Sequence, residues 1–151
     1  MSGSDVLNGN EDPRVNALFE YQVLGTLPEN EFDSITHLAS YLSNKPISTI
    51  SFLDGAYQFI KAYVGFSEEK SPVTDSICQL TIQGTEILEI NDTLNDSRTS
   101  NLVCVVGGPK IRFYAGVPII SPEGYTLGSL CVMDVVPGEL DERQRDSLQV
   151  L

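Results

Sequence analysis

The sequence predicts an α/β (α+β) fold with a central antiparallel sheet of five or six strands and helices at both ends of the chain. Short stretches rich in β-branched and aromatic residues occupy the middle of the chain. Apolar residues at helical spacing occupy both ends. Of the 151 residues, 41% are hydrophobic and 20% are charged, which is the composition of one soluble domain with its own core.

The beginning of the chain divides into a lead and a first helix. Residues 1–11 are predicted to form a flexible lead, because their Ser, Gly, Asn and acidic side chains offer nothing to bury. A single domain is expected over residues 12–151. Asp12 and Pro13 supply a helix cap and a proline at the first helical position, and the helix is expected to end at Gly25.

A second helix is predicted from Thr26 to about Ser43. Thr26 and Glu29 match a capping box, in which each side chain satisfies a free backbone amide of the first turn. The residues from Asn44 to Pro46 end this helix. Its apolar face is predicted to comprise Phe32, Ile35, Leu38, Ala39 and Leu42.

Five strands are predicted after the second helix. Residues 54–56 and 121–124 are turn-prone linkers so short that each requires an antiparallel hairpin. In the second strand, alternation places Ile60, Ala62 and Val64 on one face. The predicted strands are Ile47–Leu53, Tyr57–Val64, Glu86–Ile90, Arg112–Ile120 and Thr126–Val135.

Two further segments bear on function. The connection between Gly65 and Lys110 is about 45 residues long, far beyond a normal connection, and long connections usually build sites. After Gly138, Leu140 and Leu148 recur at helical spacing up to Leu151. We expect a truncated helix there, which in a larger protein continues toward an output domain.

The charge of the chain excludes several classes of partner. A formal net charge of -12 and a pI near 4.2 disfavour nucleic acid and anionic membrane surfaces, which are bound through lysine and arginine. The sequence has no apolar run long enough to span a bilayer and no signal peptide at its start. A cytoplasmic location without membrane contact is therefore expected.

The cysteines and the histidine limit the chemistry. Cys78, Cys104 and Cys131 are widely spaced, which encodes neither a disulfide framework nor a zinc site. Cys78 follows Asp75 and Ser76 in a short predicted helix, where it is either an activated thiol or a small buried hydrophobe, and Cys131 is expected in the core. His37 is the only histidine and is expected at the surface, which argues against haem, a catalytic triad and a metal site. We expect no catalytic residues and no enzyme activity.

The fourth predicted strand offers a candidate binding surface. Alternation places Phe113 and Ala115 on one face and Arg112, Tyr114 and Gly116 on the other. An arginine and a tyrosine beside a glycine suit the floor of a small pocket, and a structural pair between Arg112 and an acid is an equal alternative. The candidate ligand-binding residues are Arg112, Tyr114, Gly116, Phe52, Asp54, Cys78 and Cys131.

From Arg14 to its end, the chain resembles a GAF domain, of the group found ahead of bacterial histidine kinases and diguanylate cyclases. Four blocks carry the resemblance, and the last is long and specific. They are Leu24–Glu29 with Phe32 and Asp33; Asp54 with Gln58–Lys61 and Gly65; Ser76–Cys78; and Ile111–Pro118, continuing through Gly124 and Leu127–Asp134.

The resemblance implies terminal helices packed on one face of the sheet and a pocket on the other face, under the long connection. It also implies that Asp92, Asp96, Arg98, Asn101 and Val103 lie in a segment that covers the pocket, where Thr99 replaces the aromatic residue usual in the group. The cysteine and histidine that attach a bilin in phytochrome-like members are not found here, and the signature of cyclic-nucleotide-binding members is not recognisable. Neither a bilin nor a cyclic nucleotide is supported.

Three functions follow as hypotheses. The leading one is a regulatory module of a bacterial signalling protein, such as a two-component histidine kinase. In it an unknown small molecule, or the neighbouring chain, shifts the balance between two helix arrangements, and the helix that begins at Glu139 passes this change to an output domain. The alternative is a ligand-free dimerisation module, in which Val15, Leu18, Leu148 and Leu151 pair across a two-fold helical bundle. The third is a thiol enzyme that reduces free methionine sulfoxide, whose cysteine pattern cannot be placed onto the three cysteines of this chain.

Overall fold

The computed structural model describes residues 13, 14, 17, 30–65 and 70–151. Within them, helices α1 and α4 and a six-stranded sheet form the main layers, and the long connection adds two one-turn helices. The elements are α1 (Asn30–Ser43), β1 (Ile47–Leu53), β2 (Tyr57–Val64), β3 (Lys70–Pro72), α2 (Cys78–Thr81), β4 (Leu88–Ile90), α3 (Val103–Val106), β5 (Phe113–Ile120), β6 (Thr126–Asp134) and α4 (Glu142–Val150).

The sheet is antiparallel throughout, in the order β3-β2-β1-β6-β5-β4. This confirms the predicted fold class and the two predicted hairpins, β1-β2 and β5-β6. The sixth strand is β3, whose sequence Lys-Ser-Pro carries no β-rich signal. It forms because Lys70 and Ser71 pair with Phe59 and Gln58 of β2.

One face of the sheet packs against α1 and α4. Ala39 of α1 and Leu148 of α4 are fully buried in this layer, as is Ala17, which lies in the small described part of the predicted first helix. Most of that helix and the predicted cap at Thr26 lie outside the described residues. The sheet contributes Ile50, Phe52, Ala62, Phe113, Ala115, Leu130 and Val132 to the same core.

The buried face of α1 differs from the predicted one. Leu38 is 48% exposed, whereas Thr36 and Ser43 are buried. The hydroxyl of Thr36 donates to the carbonyl of Asp33 at 2.8 Å, and that of Ser43 donates to the carbonyl of Ala39 at 2.7 Å. Because these hydroxyls are satisfied within the helix, they can be buried at little cost, and the small side chains let α1 approach the sheet.

A bulge in β2 overturns the predicted alternation there. Ile50 pairs with Ala62 and Ser51 pairs with Ile60, so that Lys61 is the extra residue between them. Ala62 therefore lies in the helix-covered core, and Ile60 faces the opposite side of the sheet. Regular alternation predicts both residues on one face.

Helix α4 is tied to the rest of the domain at its start. Asp141 and Gln144 form a capping box, and the Gln144 amide also donates to the carbonyl of Ser43 at the end of α1, at 3.1 Å. Leu148 is buried within its own domain, so the structure contradicts its predicted place on a surface between two copies. No helix in the described part of the chain is long and apolar enough to cross a membrane.

Candidate functional site

A cavity of about 170 Å³ lies on the sheet face opposite α1 and α4. The sheet forms its floor, and the long connection between β2 and β5 forms its walls. It is lined by Thr49, Gln58, Ile60, Ser71, Pro72, Asp75, Ser76, Ile77, Cys78, Val103, Cys104, Gly108, Pro109, Ile111, Tyr114 and Met133.

The sheet beneath α2 carries small polar side chains instead of branched apolar ones. In the pairing of β1 with β6, Thr49 lies opposite Cys131 and Ser51 lies opposite Ser129. All four residues are buried, and the Thr49 hydroxyl lies 2.9 Å from the Cys131 sulfur. Small side chains at the centre of the sheet leave room for α2 to lie directly on it.

Helix α2 contacts this polar floor through its first and last residues. The Tyr114 hydroxyl lies 2.6 Å from Thr81 Oγ1 and donates to the sulfur of Cys78 at 3.4 Å. Ser129 Oγ donates to the same sulfur, also at 3.4 Å. The thiol of Cys78 is thus held among hydroxyl groups, in contrast to the apolar surroundings typical of a structural cysteine.

These surroundings alter the acidity of the buried groups. The pKa of Cys78 is lowered to about 7, because hydrogen bonding from the Cys131 thiol, with further hydrogen bonds from Ser129, Tyr114 and Ser51, outweighs the opposing effect of burial. The hydrogen bond to Cys78, together with burial, raises the pKa of Cys131. Burial, followed by the charge of the Cys78 thiolate, raises the pKa of Tyr114. Cys78 is therefore the group in this cluster that ionises first.

Gln58 presents an unsatisfied polar group beside the cavity. Its side-chain nitrogen donates to Ser71 Oγ at 3.2 Å, but its oxygen is buried and accepts no hydrogen bond. The residue as a whole is 8% exposed. A buried acceptor without a partner is costly, and such groups are found where a ligand or a water supplies the missing donor.

The structure brings four of the predicted site residues together. Tyr114 and Cys78 line the cavity, and Cys131 lies next to them in the floor. Gly116 lies where Tyr114 and Thr81 meet, and a side chain there would overlap the Tyr114 hydroxyl. The space that Gly116 leaves is thus occupied by the tyrosine and is not part of the open cavity.

The other three predicted residues lie elsewhere. Phe52 packs against Phe32 of α1 in the core on the other side of the sheet. Asp54 closes the β1-β2 turn by accepting the amides of Ala56 and Tyr57, each at 2.7 Å. Arg112 donates to the carbonyl of Val105 at 2.8 Å, so it holds α3 against the start of β5. Among the described residues it forms neither a pocket floor nor the predicted pair with an acid.

Sequence reasoning missed Gln58, Thr49 and most of the wall residues. The bulge at Lys61 hides the placement of Gln58 and Ile60, since a simple alternation fails there. A usable signal was the occurrence of Thr49 and Ser51 inside a strand that is buried along its whole length. Of the segment expected to cover the pocket, Val103 does line it, and Thr99 is fully buried and donates to the carbonyl of Thr93 at 2.7 Å.

The lining of the cavity is mostly uncharged. In the described part of the chain, no three His, Cys, Asp or Glu side chains come together as a metal site. Asp75 is the single charged residue among the described residues that line the cavity. The remaining lining mixes apolar side chains with hydroxyl, amide and thiol groups, which is the usual character of a ligand pocket.

Comparison with known proteins decides the family. The GAF domain family matches residues 28–151 of this chain. The chain belongs to the GAF domain family. The resemblance seen in the sequence is thus confirmed, and the helix layer and the covered cavity are features of a GAF fold.

Individual relatives of this GAF domain include a bacterial signalling enzyme. A cyclic di-GMP phosphodiesterase of Pseudomonas aeruginosa is 40% identical over 124 residues, which cover 80% of this chain but 21% of that protein. The chain therefore spans about a fifth of the length of this relative. It is a GAF domain of the kind that occurs in bacterial signalling proteins.

Solved structures share the fold at low sequence identity. The GAF domain of the Acinetobacter phosphoenolpyruvate-protein phosphotransferase has a TM-score of 0.67 at 16% identity, covering 91% of this chain and 84% of that one. The free methionine-R-sulfoxide reductase of Neisseria meningitidis has a TM-score of 0.65 at 14% identity, covering 99% and 87%. At these identities the likeness concerns the fold alone.

Proposed function

We propose that this GAF domain is a regulatory module that binds a small molecule in the cavity and does no covalent chemistry on it. The observation that supports this most directly is the unsatisfied oxygen of Gln58 at a cavity of about 170 Å³. A cavity of roughly 150 Å³ is enough to hold benzene, so a ligand with the size of a small amino acid or amide fits.

The charges of the lining define the class of ligand. Asp75 brings a negative charge to the described lining, and no lysine or arginine is among the residues there. The free acceptor on Gln58 calls for an N–H or O–H donor. The proposed ligand is therefore neutral or cationic, carries at least one donor and is smaller than a cyclic nucleotide.

Helix α4 is the proposed output of the module. The edge strand β4 is tied to the start of α4, because Glu89 accepts hydrogen bonds from the amide of Leu140 at 2.9 Å and from Arg145 at 2.7 Å. β4 pairs with β5 at Tyr114, which lines the cavity. A ligand that shifts β5 relative to the long connection would thus bias the position of α4, and in a longer signalling protein this bias would reach an output domain.

Calorimetric titration with a library of amino acids, amides and amines tests the proposal. Gln58→Met removes the acceptor but retains the length of the side chain, so it should weaken binding about tenfold or more while leaving the melting temperature unchanged or raised. Gln83→Met, at an exposed position, is the matched control and should bind normally. Failure of every compound to bind would contradict the proposal, and tight binding of cyclic nucleotides alone would contradict the ligand class.

Association between two copies is a second candidate function, favoured by exposed apolar side chains on α1 and α4. Tyr41 is 82% exposed and Val150 is 83% exposed. Sedimentation velocity should then show a dimer that Val150→Asp dissociates. Val136→Asp, at an exposed position outside the helices, should have no effect. A protein that stays monomeric at high concentration would contradict this function.

A further inference from the structure

The cluster beneath α2 contains two thiols that binding of a ligand does not require. Cys78 lies on α2 and lines the cavity, and Cys131 lies in the centre of β6 and is fully buried. The hydroxyl of Ser129 lies 3.4 Å from the Cys78 sulfur, and the hydroxyl of Thr49 lies 2.9 Å from the Cys131 sulfur. Ser129 and Cys131 are two residues apart in β6 and therefore lie on the same face of the sheet. Cys104 lines the same cavity and is more exposed than either of them.

The geometry points to a redox switch in which a hydroperoxide that enters the cavity converts Cys78 and Cys131 into a reversible disulfide. The first step belongs to Cys78, since it faces the cavity and Cys131 does not. The second step belongs to Cys131, since it lies on the same face of β6 as Ser129, whose hydroxyl is 3.4 Å from the Cys78 sulfur. This inference is independent of the proposed ligand.

Oxidation of the two thiols requires one hydroperoxide and no other reactant. The Cys78 thiolate attacks one oxygen of the hydroperoxide, the O–O bond breaks, and the other oxygen leaves as an alcohol, or as water when the oxidant is hydrogen peroxide, which gives a sulfenic acid. The Cys131 thiol then attacks the Cys78 sulfur and forms the S–S bond, and the displaced hydroxide leaves as water with the proton of Cys131. Two thiols are oxidised by two electrons, and one peroxide is reduced.

The surroundings of Cys78 favour its role as the attacking thiol. The hydroxyls of Tyr114 and Ser129 each donate to the sulfur at 3.4 Å, which stabilises the thiolate, the reactive form of the cysteine. Exposure to solvent alone would instead favour oxidation of Cys104. Comparing the two cysteines therefore tests whether hydrogen bonding to the thiolate or exposure decides which one reacts.

Formation of the disulfide would reshape the cavity. The S–S bond is about 2.05 Å long, which is shorter than any hydrogen-bonded contact between two sulfurs. Cys78 would therefore be drawn toward β6, and α2 would move with it. Ser76 and Ile77, which precede Cys78 and line the cavity, would follow, so oxidation would alter the cavity wall.

Peptide mapping after treatment with hydrogen peroxide tests the inference. Trypsin places the three cysteines in different peptides. Cys78 lies in residues 71–98, Cys104 in residues 99–110 and Cys131 in residues 113–143. The cleavage sites are Lys70, Arg98, Lys110, Arg112 and Arg143. The folded protein should lose two hydrogens and yield linked peptides 71–98 and 113–143, and dithiothreitol should restore both. Cys104→Ser should behave in the same way.

Two variants make the order of events visible. Cys131→Ser should form no disulfide and should accumulate a Cys78 sulfenic acid that dimedone traps. Cys78→Ser should leave Cys131 unoxidised under the same conditions, with its melting temperature measured to show that it is folded. The inference is overturned if Cys104 is oxidised before Cys78, if Cys131 reacts in Cys78→Ser, or if the folded protein forms no disulfide.

Discussion

Glu89 of β4 accepts a hydrogen bond from the guanidinium of Arg145 in α4, with 2.7 Å between Oε1 and Nε. The other oxygen of Glu89 accepts from the amide of Leu140 and from Asn91, each at 2.9 Å. Asn91 in turn donates to the carbonyl of Gly138 at 2.8 Å. One carboxylate thus joins the edge of the sheet to the start of the C-terminal helix.

Removal of this carboxylate should destabilise the fold in a pH-dependent way. Burial alone would raise the pKa of Glu89, but hydrogen bonds from Arg145, Leu140 and Asn91 hold it below its usual 4.5. Because the pKa is lower in the fold than in the unfolded chain, the carboxylate adds stability above pH 4.5 and loses it as the pH falls through the folded pKa. Glu89→Gln should lower the melting temperature by roughly 2–4 °C at pH 7.

Thermal melts across pH separate this effect from a general loss of stability. The difference between wild type and Glu89→Gln should shrink as the pH falls below 4.5 and the wild-type carboxylate takes up a proton. Glu86→Gln removes an exposed carboxylate nearby and should change the melting temperature by less than about 1 °C. A difference that persists unchanged at low pH would show that the carboxylate charge is not responsible.

Gly116→Ala should loosen α2 from the sheet. The added Cβ would overlap the Tyr114 hydroxyl and lie 2.7 Å from Thr81 Oγ1, so the hydrogen bond between these two groups could not persist. The expected cost is about 1–3 kcal/mol, measured by urea unfolding. Gly84→Ala, where a Cβ would meet open space, should be nearly neutral. Equal unfolding midpoints for the two variants would contradict the packing described for Tyr114.

Leu148→Ala should cost about 2–5 kcal/mol, because Leu148 is fully buried between α4 and the sheet. Val150→Ala, two residues further along the same helix, should change the free energy of unfolding by no more than about 0.5 kcal/mol. Val150 is 83% exposed. A larger loss of free energy of unfolding in Val150→Ala than in Leu148→Ala would show that α4 packs against the sheet through its opposite face.

The rate at which iodoacetamide alkylates Cys78 should level off as the pH rises above about 7. A thiol with a pKa of about 7 is about one tenth ionised at pH 6 and about nine tenths ionised at pH 8. The alkylation rate of Cys78, measured on peptide 71–98, should thus rise about tenfold between these pH values, whereas that of an ordinary thiol with a pKa near 9 would rise about 90-fold. A gain of the second kind would show that the surrounding hydroxyls do not lower the pKa of Cys78.

The same pKa predicts the sign of a stability effect. Since the pKa of Cys78 is lower in the fold than in the unfolded chain, the thiolate contributes stability at alkaline pH and loses it as the pH falls through about 7. The difference in free energy of unfolding between wild type and Cys78→Ser should therefore be larger at pH 8 than at pH 6. Urea midpoints at the two pH values provide the measurement.

The sheet could be predicted in outline because its signals are local. The linkers before Tyr57 and before Thr126 permit only hairpins, and alternation correctly separates Tyr114 from Phe113 and Ala115. The strand β3 could not be predicted, since Lys70 and Ser71 acquire strand geometry from pairing with β2 and have no β preference of their own.

The site was harder to predict because it depends on register between distant strands. The opposition of Thr49 to Cys131 follows from the pairing of β1 with β6, which are about 80 residues apart in sequence. The single extra residue at Lys61 reverses the face of Gln58 relative to a regular strand. Asp54 was misleading because an acidic residue beside a glycine serves turns as readily as ligands.

The margins of the sheet limit how this domain meets other proteins. The outer strands β3 and β4 have three residues each, Pro72 ends the first, and Pro118 lies in β5 beyond the stretch that β4 pairs. A proline offers no N–H, and edge strands this short leave few backbone groups with which a strand of another protein could pair. Within the described strands, the sheet therefore offers little unpaired backbone for edge-to-edge pairing with another chain, so a partner of this domain would have to bind through side chains.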